Sequence, residues 1–219
     1  MGPTTIFSAD ATADGGLVVI TDFWGEAGGT ATEYFGYVDI WTFELDSNGV
    51  LLWEKTLGNY QDNNAGGIYR TSKNTTLILG ETMYSGGMVD CECHGFPRDL
   101  WLVELDSIGE IIWQNCYGGS DWELNYDAVD DGNGYTILSS SRSDDGDVSG
   151  IHGNETNDFW LFHIDSIGNL QWQKCFGGSN HDDPAELFKT DDNGYVLIGS
   201  TSSNDGDVSF NNGINGGRD

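Results

Sequence analysis

The sequence predicts an all-β fold of repeated four-stranded antiparallel sheets, and three observations carry that prediction. The first is internal repetition, which marks modular architectures when the period is fixed. The segments DIWTFELDSNGVLLWEKTLGN from Asp39, DLWLVELDSIGEIIWQNCYGG from Asp99 and DFWLFHIDSIGNLQWQKCFGG from Asp158 are copies whose starts lie 60 and 59 residues apart. The second is the texture of each copy: short runs of aliphatic and aromatic residues bounded by Asp, Asn and Gly, which is how strands and turns are punctuated. The third is that no segment shows a 3.6-residue apolar period, so helix is not expected.

Each element of a copy has a physical reading. Trp101-Leu102-Val103-Glu104-Leu105 is a strand, and Asp106-Ser107-Ile108-Gly109 is the tight turn after it. Gly109 suits a position of positive φ in a short hairpin loop, and Gly49 and Gly168 take the same role. Ile111-Ile112-Trp113 begins the returning strand, which ends at Gly118-Gly119, as its counterpart ends at Gly177-Gly178. A further strand leads to a second turn, Asp131-Gly132-Asn133-Gly134 or Asp191-Asp192-Asn193-Gly194, and a fourth follows from Tyr135 or Tyr195. Asp14-Gly15-Gly16 with Leu17-Val18-Val19-Ile20 is the same turn and strand. Four hairpin-linked strands per copy describe the blade of a β-propeller.

The chain is read as one repeat region over residues 1–219, with copies from Asp39, Asp99 and Asp158 and a further copy opening at Asp219. It amounts to an open arc of about 3.5 blades, fewer than the four or more of a closed ring. Two regular indole sets, Trp41, Trp101 and Trp160 on one strand and Trp53, Trp113 and Trp172 on the next, are expected to pack between blades. If strands run up and down in order, the Gly-Gly-Ser and DGDVS connections share one face and the Asp-Ser-x-Gly and Asp-Asn-Gly turns the other.

Composition narrows the function classes. Eight Lys and Arg stand against 36 Asp and Glu, a net charge of −28, so no basic patch can be assembled for a phosphate backbone or an anionic membrane. With 8 Trp, 9 Tyr and 10 Phe, the chain is folded and not an acidic tail. No apolar run approaches the ~18 residues of a membrane helix, and no signal-peptide pattern follows Met1-Gly2-Pro3.

The candidate site residues are few. Asp144, Asp145 and Asp147, with Asp205 and Asp207 of the second DGDVS segment, offer oxygen ligands to a hard cation such as Ca²⁺. The same carboxylates read more simply as solvated turn residues, since neither an EF-hand layout nor a distal Glu accompanies them. Cys91, Cys93 and His94 form a Cys-x-Cys-His cluster with the soft donors a transition metal takes. A disulfide from one of these cysteines, or an irregular surface loop, is the alternative. Cys116 and Cys175 stand where the first copy has Thr56 and read as small strand residues on different blades. Nucleophile elbows and phosphate loops are absent, and carboxylates are too numerous for any pair of them to indicate catalysis.

The string D-x-W-x-x-x-x-D-S-x-G-x-x-x-W, then Gly-Gly, an acidic turn, a Tyr-led strand and DGDVS, resembles bacterial secreted β-propeller repeats of the SBBP type and their NHL-like relatives. It is similar to repeats of long Bacteroidetes surface proteins exported by the type IX system. The resemblance implies a secreted or cell-surface location, an innermost strand around Glu186 to Thr190, and the other blades of a longer parent chain as neighbours. It carries over no catalytic residue. The function expected is a noncatalytic module for binding a protein or carbohydrate ligand, or for spacing. The rival is a fragment of a propeller enzyme, quinoprotein-like or glycan-cleaving.

Overall fold

The computed structural model describes residues 6–24, 35–94 and 96–209, so Asp219, the expected start of a further copy, lies outside the described residues. Fourteen strands and no helix occur among them. A first sheet holds β1 (Ile6–Ala11), β2 (Leu17–Trp24), β3 (Val38–Leu45) and β4 (Leu51–Leu57), and a second holds β5 (Asn63–Arg70), β6 (Thr76–Thr82), β7 (Asp99–Leu105) and β8 (Ile111–Tyr117). The third contains β9 (Glu123–Asp130), β10 (Gly134–Ser141), β11 (Asp158–Asp165) and β12 (Leu170–Phe176). β13 (Asp182–Lys189) and β14 (Tyr195–Thr201) make a two-stranded sheet. Every pair is antiparallel and every sheet follows chain order, a partial propeller-like arrangement.

The chain forms two compact units, Met1–Tyr117 with the first two sheets and Gly118–Asp219 with the others. In the first, Val18, Ile20, Ile40, Leu57, Ile68, Ile78, Trp101 and Val103 make one buried core. In the second, Leu138, Leu161 and Leu187 are buried among Phe159, Phe176, Tyr195 and Leu197. β2, β6 and β10 are second strands covered on both faces, so nearly every residue in them is buried, the terminal hydroxyls of β10 included.

The turns follow from their residues. Asp46, Asp106 and Asp165 each accept two backbone hydrogen bonds on Oδ1, from Asn48 and Val50, Ile108 and Glu110, and Ile167 and Asn169. An Asp side chain that stands in for a backbone acceptor fixes the loop. Gly49, Gly109 and Gly168 then take φ of 79°, 82° and 83°, the positive-φ role assigned to them from sequence.

Neighbouring sheets are stitched through their first strands. The Arg70 amide of β5 donates to Asp10 Oδ2 of β1 at 2.7 Å, and the Leu187 amide of β13 donates to Asp127 Oδ2 of β9 at 2.8 Å. Within each unit the first strands therefore meet, whereas the fourth strands β4, β8 and β12 are the more exposed.

Of the six indoles expected in the core, two are fully buried, and Trp53 packs against the core of the first unit from its edge. Trp101 and Trp160 are fully buried, their Nε1 atoms donating to Gln114 and Gln173, and Trp41 is half-buried. Trp53 and Trp113 are also half-buried, and Trp172 is 40% exposed. These three lie on outer strands with a neighbour on one side only, opposite Glu44, Glu104 and His163. Trp53 and Trp113 donate Nε1–H to those glutamates, and Trp172 stacks on His163 at 5.7 Å between centroids. Trp160→Ala is expected to cost about 3–5 kcal/mol by denaturant melting, and Trp172→Ala less than half as much.

One buried carboxylate sets a pH dependence. Asp22 Oδ1 accepts from the Ala65 amide at 2.7 Å, joining the first sheet to the second, and burial pushes its pKa up to about 6 despite that hydrogen bond. The folded state then holds a proton that the unfolded chain has released, so this residue's contribution to stability falls as pH rises from about 4 to about 6. Asp22→Asn keeps an acceptor and removes the titration. Its stability relative to the parent, from melts across pH, should improve over that interval and be constant above it. A difference that does not change with pH would contradict this.

Candidate functional site

The candidate site is built where strand ends meet the DGDVS segments, and its frame repeats almost atom for atom. In the third sheet, Ser120 N donates to Asp145 Oδ1 (2.7 Å), Asp121 N to Ser143 Oγ (2.9 Å) and Gly119 N to Glu123 Oε2 (3.2 Å). The Asp147 amide donates back to the Gly118 carbonyl (2.9 Å). In the two-stranded sheet, Ser179 N donates to Asp205 Oδ1 (2.7 Å), Asn180 N to Ser203 Oγ (3.0 Å) and Gly178 N to Asp182 Oδ2 (2.8 Å). The Asp207 amide closes that copy onto Gly177 O (2.8 Å). The Gly-Gly and DGDVS segments therefore share a face, as strand parity requires.

Each proposed cation ligand is thereby placed. Asp145 and Asp205 clasp backbone amides, Asp144 Oδ1 accepts from Gly150 N (3.0 Å), and Asp147 Oδ2 accepts from Gly118 N (3.2 Å). The Ser179 amide holds the Asp205 carboxyl below the usual carboxylate range. Asp207 Oδ2 lies 3.6 Å from His152 Nε2. Among the described residues, no group of three or more His, Cys, Asp or Glu side chains is arranged to hold a metal ion.

The Asp that opens each repeated strand is fully buried: Asp39, Asp99 and Asp158. Asp39 Oδ2 accepts from the amides of Phe35 (2.8 Å) and Gly36 (3.2 Å), and Asp99 Oδ2 accepts from His94 N at 2.5 Å. Asp158 Oδ2 takes both the His152 amide (3.0 Å) and the ring Nδ1 (2.7 Å). Burial pushes the carboxyls of Asp39 and Asp158 up. Their second oxygens, Oδ1, have no hydrogen-bond partner. Those oxygens sit against glycines, since a Cβ on Gly58 would meet Asp39 Oδ1 and one on Gly177 would lie 2.6 Å from Asp158 Oδ1.

Cys91, Cys93 and His94 are not arranged together as metal ligands among the described residues. Cys91 is bonded to Cys116, with Cα atoms 5.5 Å apart, so its sulfur is not available as a thiolate ligand. Cys116 is thus not merely a small strand residue, whereas Cys175 is a buried free thiol whose pKa burial pushes up to about 12. The cysteine loop nonetheless keeps the common frame. Met88 N donates to Gly58 O at 2.9 Å, as Asp147 and Asp207 do to Gly118 and Gly177, and Gly87, Gly146 and Gly206 share φ of 61–65°. Ser85-Gly86-Gly87-Met88-Val89 is therefore the counterpart of Asp144-Asp145-Gly146-Asp147-Val148.

Sequence reasoning missed that equivalence, and with it Glu123, Asp182, Ser143 and Ser203. The signals were present: an acid four residues after the second glycine (Gly119 to Glu123, Gly178 to Asp182), a hydroxyl-x-hydroxyl ending the second strand (Ser141 and Ser143, Thr201 and Ser203), and Gly-x-Val in each loop.

Beside this frame, the second unit carries an open groove of about 350 Å³ whose lining includes Phe159, Phe176, Leu197, Asp182 and Asp207. The rings come from β11 and β12, and the carboxylates from the start of β13 and the second DGDVS loop. Lys174 Nζ lies 4.3 Å from the Phe176 centroid. An apolar wall beside hydrogen-bonding groups is the usual make-up of a ligand cleft.

No family model matches the chain, and no curated protein does. Among solved structures it is similar to a protein of unknown function from Bacteroides caccae, with a TM-score of 0.49 and 9% identity over 90% of this chain. The alignment spans 54% of that protein. No helix among the described residues is long and apolar enough to cross a membrane.

Gly177→Ala tests the packing of the frame, because the new methyl would lie 2.6 Å from both Asp158 Oδ1 and Asp182 Oδ2. It is expected to destabilise by about 1–3 kcal/mol. Gly177 is not among the positive-φ glycines, so the loss reads the clash alone, whereas Gly132→Ala, with open space around its Cβ and φ of 87°, reads backbone strain without a clash.

Proposed function

We propose that the chain is a noncatalytic propeller-type module of a secreted or cell-surface protein and that it binds a carbohydrate in the groove of its second unit. The observation that carries this reading is the groove's composition, with Phe159 and Phe176 beside Asp207. Aromatic rings cover the apolar face of a sugar, and carboxylates accept from its hydroxyls. The repetition of the frame also supports a module over an enzyme, because the loop carboxylates in both copies are committed to the same backbone amides. The resemblance to secreted SBBP-type and NHL-like repeats supports the location.

A glycan array followed by calorimetric titration tests it. A bound glycan is expected, with Phe159→Ala and Asp207→Ala each weakening binding at least about tenfold, the equivalent of 1.4 kcal/mol. Binding that survives both substitutions would place the ligand elsewhere, and turnover of a bound glycan would replace the module by an enzyme. Binding to a protein surface alone, sensitive to the same substitutions, would replace the carbohydrate and keep the groove.

A further inference from the structure

The cysteines carry an inference independent of the groove. Three sulfurs meet at one place in the first unit: Cys91 is bonded to Cys116, and the free Cys93 Sγ lies 3.4 Å from Cys116 Sγ. Cys116 belongs to the buried core, and Cys91 and Cys93 pack against that core from the loop. Ser85 Oγ ties the loop together, donating to the Cys91 carbonyl at 2.6 Å and accepting from the Cys93 amide at 3.2 Å. The spacing explains the convergence, since residues two apart in extended chain present side chains to the same side.

We propose that Cys91, Cys93 and Cys116 are one thiol–disulfide exchange site, in which Cys116 is the shared sulfur and its bond moves between Cys91 and Cys93. Cys93 loses its proton, and the thiolate sulfur attacks Cys116 Sγ. The Cys93–Cys116 bond forms as the Cys91–Cys116 bond breaks, the electron pair leaves on Cys91 sulfur, and Cys91 takes up a proton. One disulfide and one thiol stand on each side of the step, so no oxidant or reductant is consumed.

A purely structural brace does not account for the arrangement. The equivalent loop after Asp144 keeps the same Gly-x-Val frame, and its His152 amide donates to Asp158 as the His94 amide donates to Asp99, with no cysteine in it. The loop conformation therefore needs no cross-link, and a single brace would need one loop cysteine and not two. The two links also close chains of nearly equal length, with separations of 25 and 23 residues. Closure entropy alone favours one over the other by only about 1.1-fold. The exchange determines which loop cysteine, Cys91 or Cys93, presents the free thiol.

The test is disulfide mapping of the full chain. Protein purified without reductant is incubated with a trace of a small thiol, quenched with acid, alkylated and digested, and its linked peptides are quantified by mass spectrometry. Both the 91–116 and 93–116 links are expected in the parent chain, within about tenfold of each other. Cys91→Ser should move the population to 93–116 and Cys93→Ser to 91–116. Cys175, a buried free thiol of the second unit, is an internal control: its alkylation only after unfolding shows that its own unit stays folded through the incubation. A folded parent chain that keeps the 91–116 link alone after the incubation would overturn the proposal, whatever link the Cys91→Ser chain forms on air oxidation.

Discussion

The structure depends on one recurring interaction, a side-chain oxygen accepting from a backbone N–H that the strand ladders leave over. Short antiparallel strands with tight connections create many such donors, because each turn and strand end takes amides out of the ladder. Asp46, Asp106 and Asp165 satisfy them in the hairpins, Asp39, Asp99 and Asp158 ahead of the third strands, and Glu123, Asp182, Asp145 and Asp205 in the loop frame. Hydrogen bonds to a carboxylate are stronger than those to a neutral acceptor. The acidity of the chain is thus in large part turn chemistry. Where the charge is dispensed with, an amide takes over: Asn59 Oδ1 accepts from Gln61 N and from Asn63 Nδ2 at the corresponding joint of the second sheet.

The same interaction has a cost where it is buried. Asp39 and Asp158 each hold amides with one oxygen and leave the other without a hydrogen-bond partner, and burial pushes both carboxyls up. An unpartnered buried oxygen is unfavourable, yet the carboxylate sits where the chain enters a strand from an irregular connection. Gly58 and Gly177 pack directly against those oxygens, so glycine at the end of the fourth strand and aspartate at the start of the third are one device. The Asp-x-Trp motif and the glycine that follows the fourth strand, written separately in the sequence, are parts of a single joint.

The repeat period, the strands, the hairpin glycines and the shared face of the Gly-Gly and DGDVS connections were legible because they rest on local chemistry and on parity. The burial of Trp53, Trp113 and Trp172 was not, since a fixed period says that a residue recurs and not that both its sides are covered. Whether a strand is second or fourth in its sheet decides that, and the sheets begin at Ile6, Asn63, Glu123 and Asp182, out of phase with the Asp-x-Trp signature. The Cys91–Cys116 bond was hidden for a related reason. Residues 25 apart in sequence meet only because the loop before β7 returns to the far end of β8. The groove depends on packing between side chains of different sheets, which periodicity does not encode.

Repetition also shows where to look for what is particular to this chain. A feature present in every copy, such as the amide clasps, is explained by the joint it stabilises and carries little information about a ligand. A feature present in one copy, on a frame that stands without it elsewhere, asks for another explanation. The three sulfurs meet this criterion, because the loop after Asp144 has the same backbone frame and no cysteine. The groove meets it in a different way. Its rings, Phe159 and Phe176, occupy positions held in the first copy by Ile40 and Leu57, which are fully buried in their unit's core, whereas Phe159 and Phe176 are half-buried against Leu138, Leu161 and Leu187 and border the groove beside the two-stranded sheet. Equivalent positions are fully covered where a four-stranded sheet follows and half covered beside the two-stranded sheet, so the flanking strands, and not the residue's place in the repeat, decide whether an apolar side chain closes a core or borders a groove.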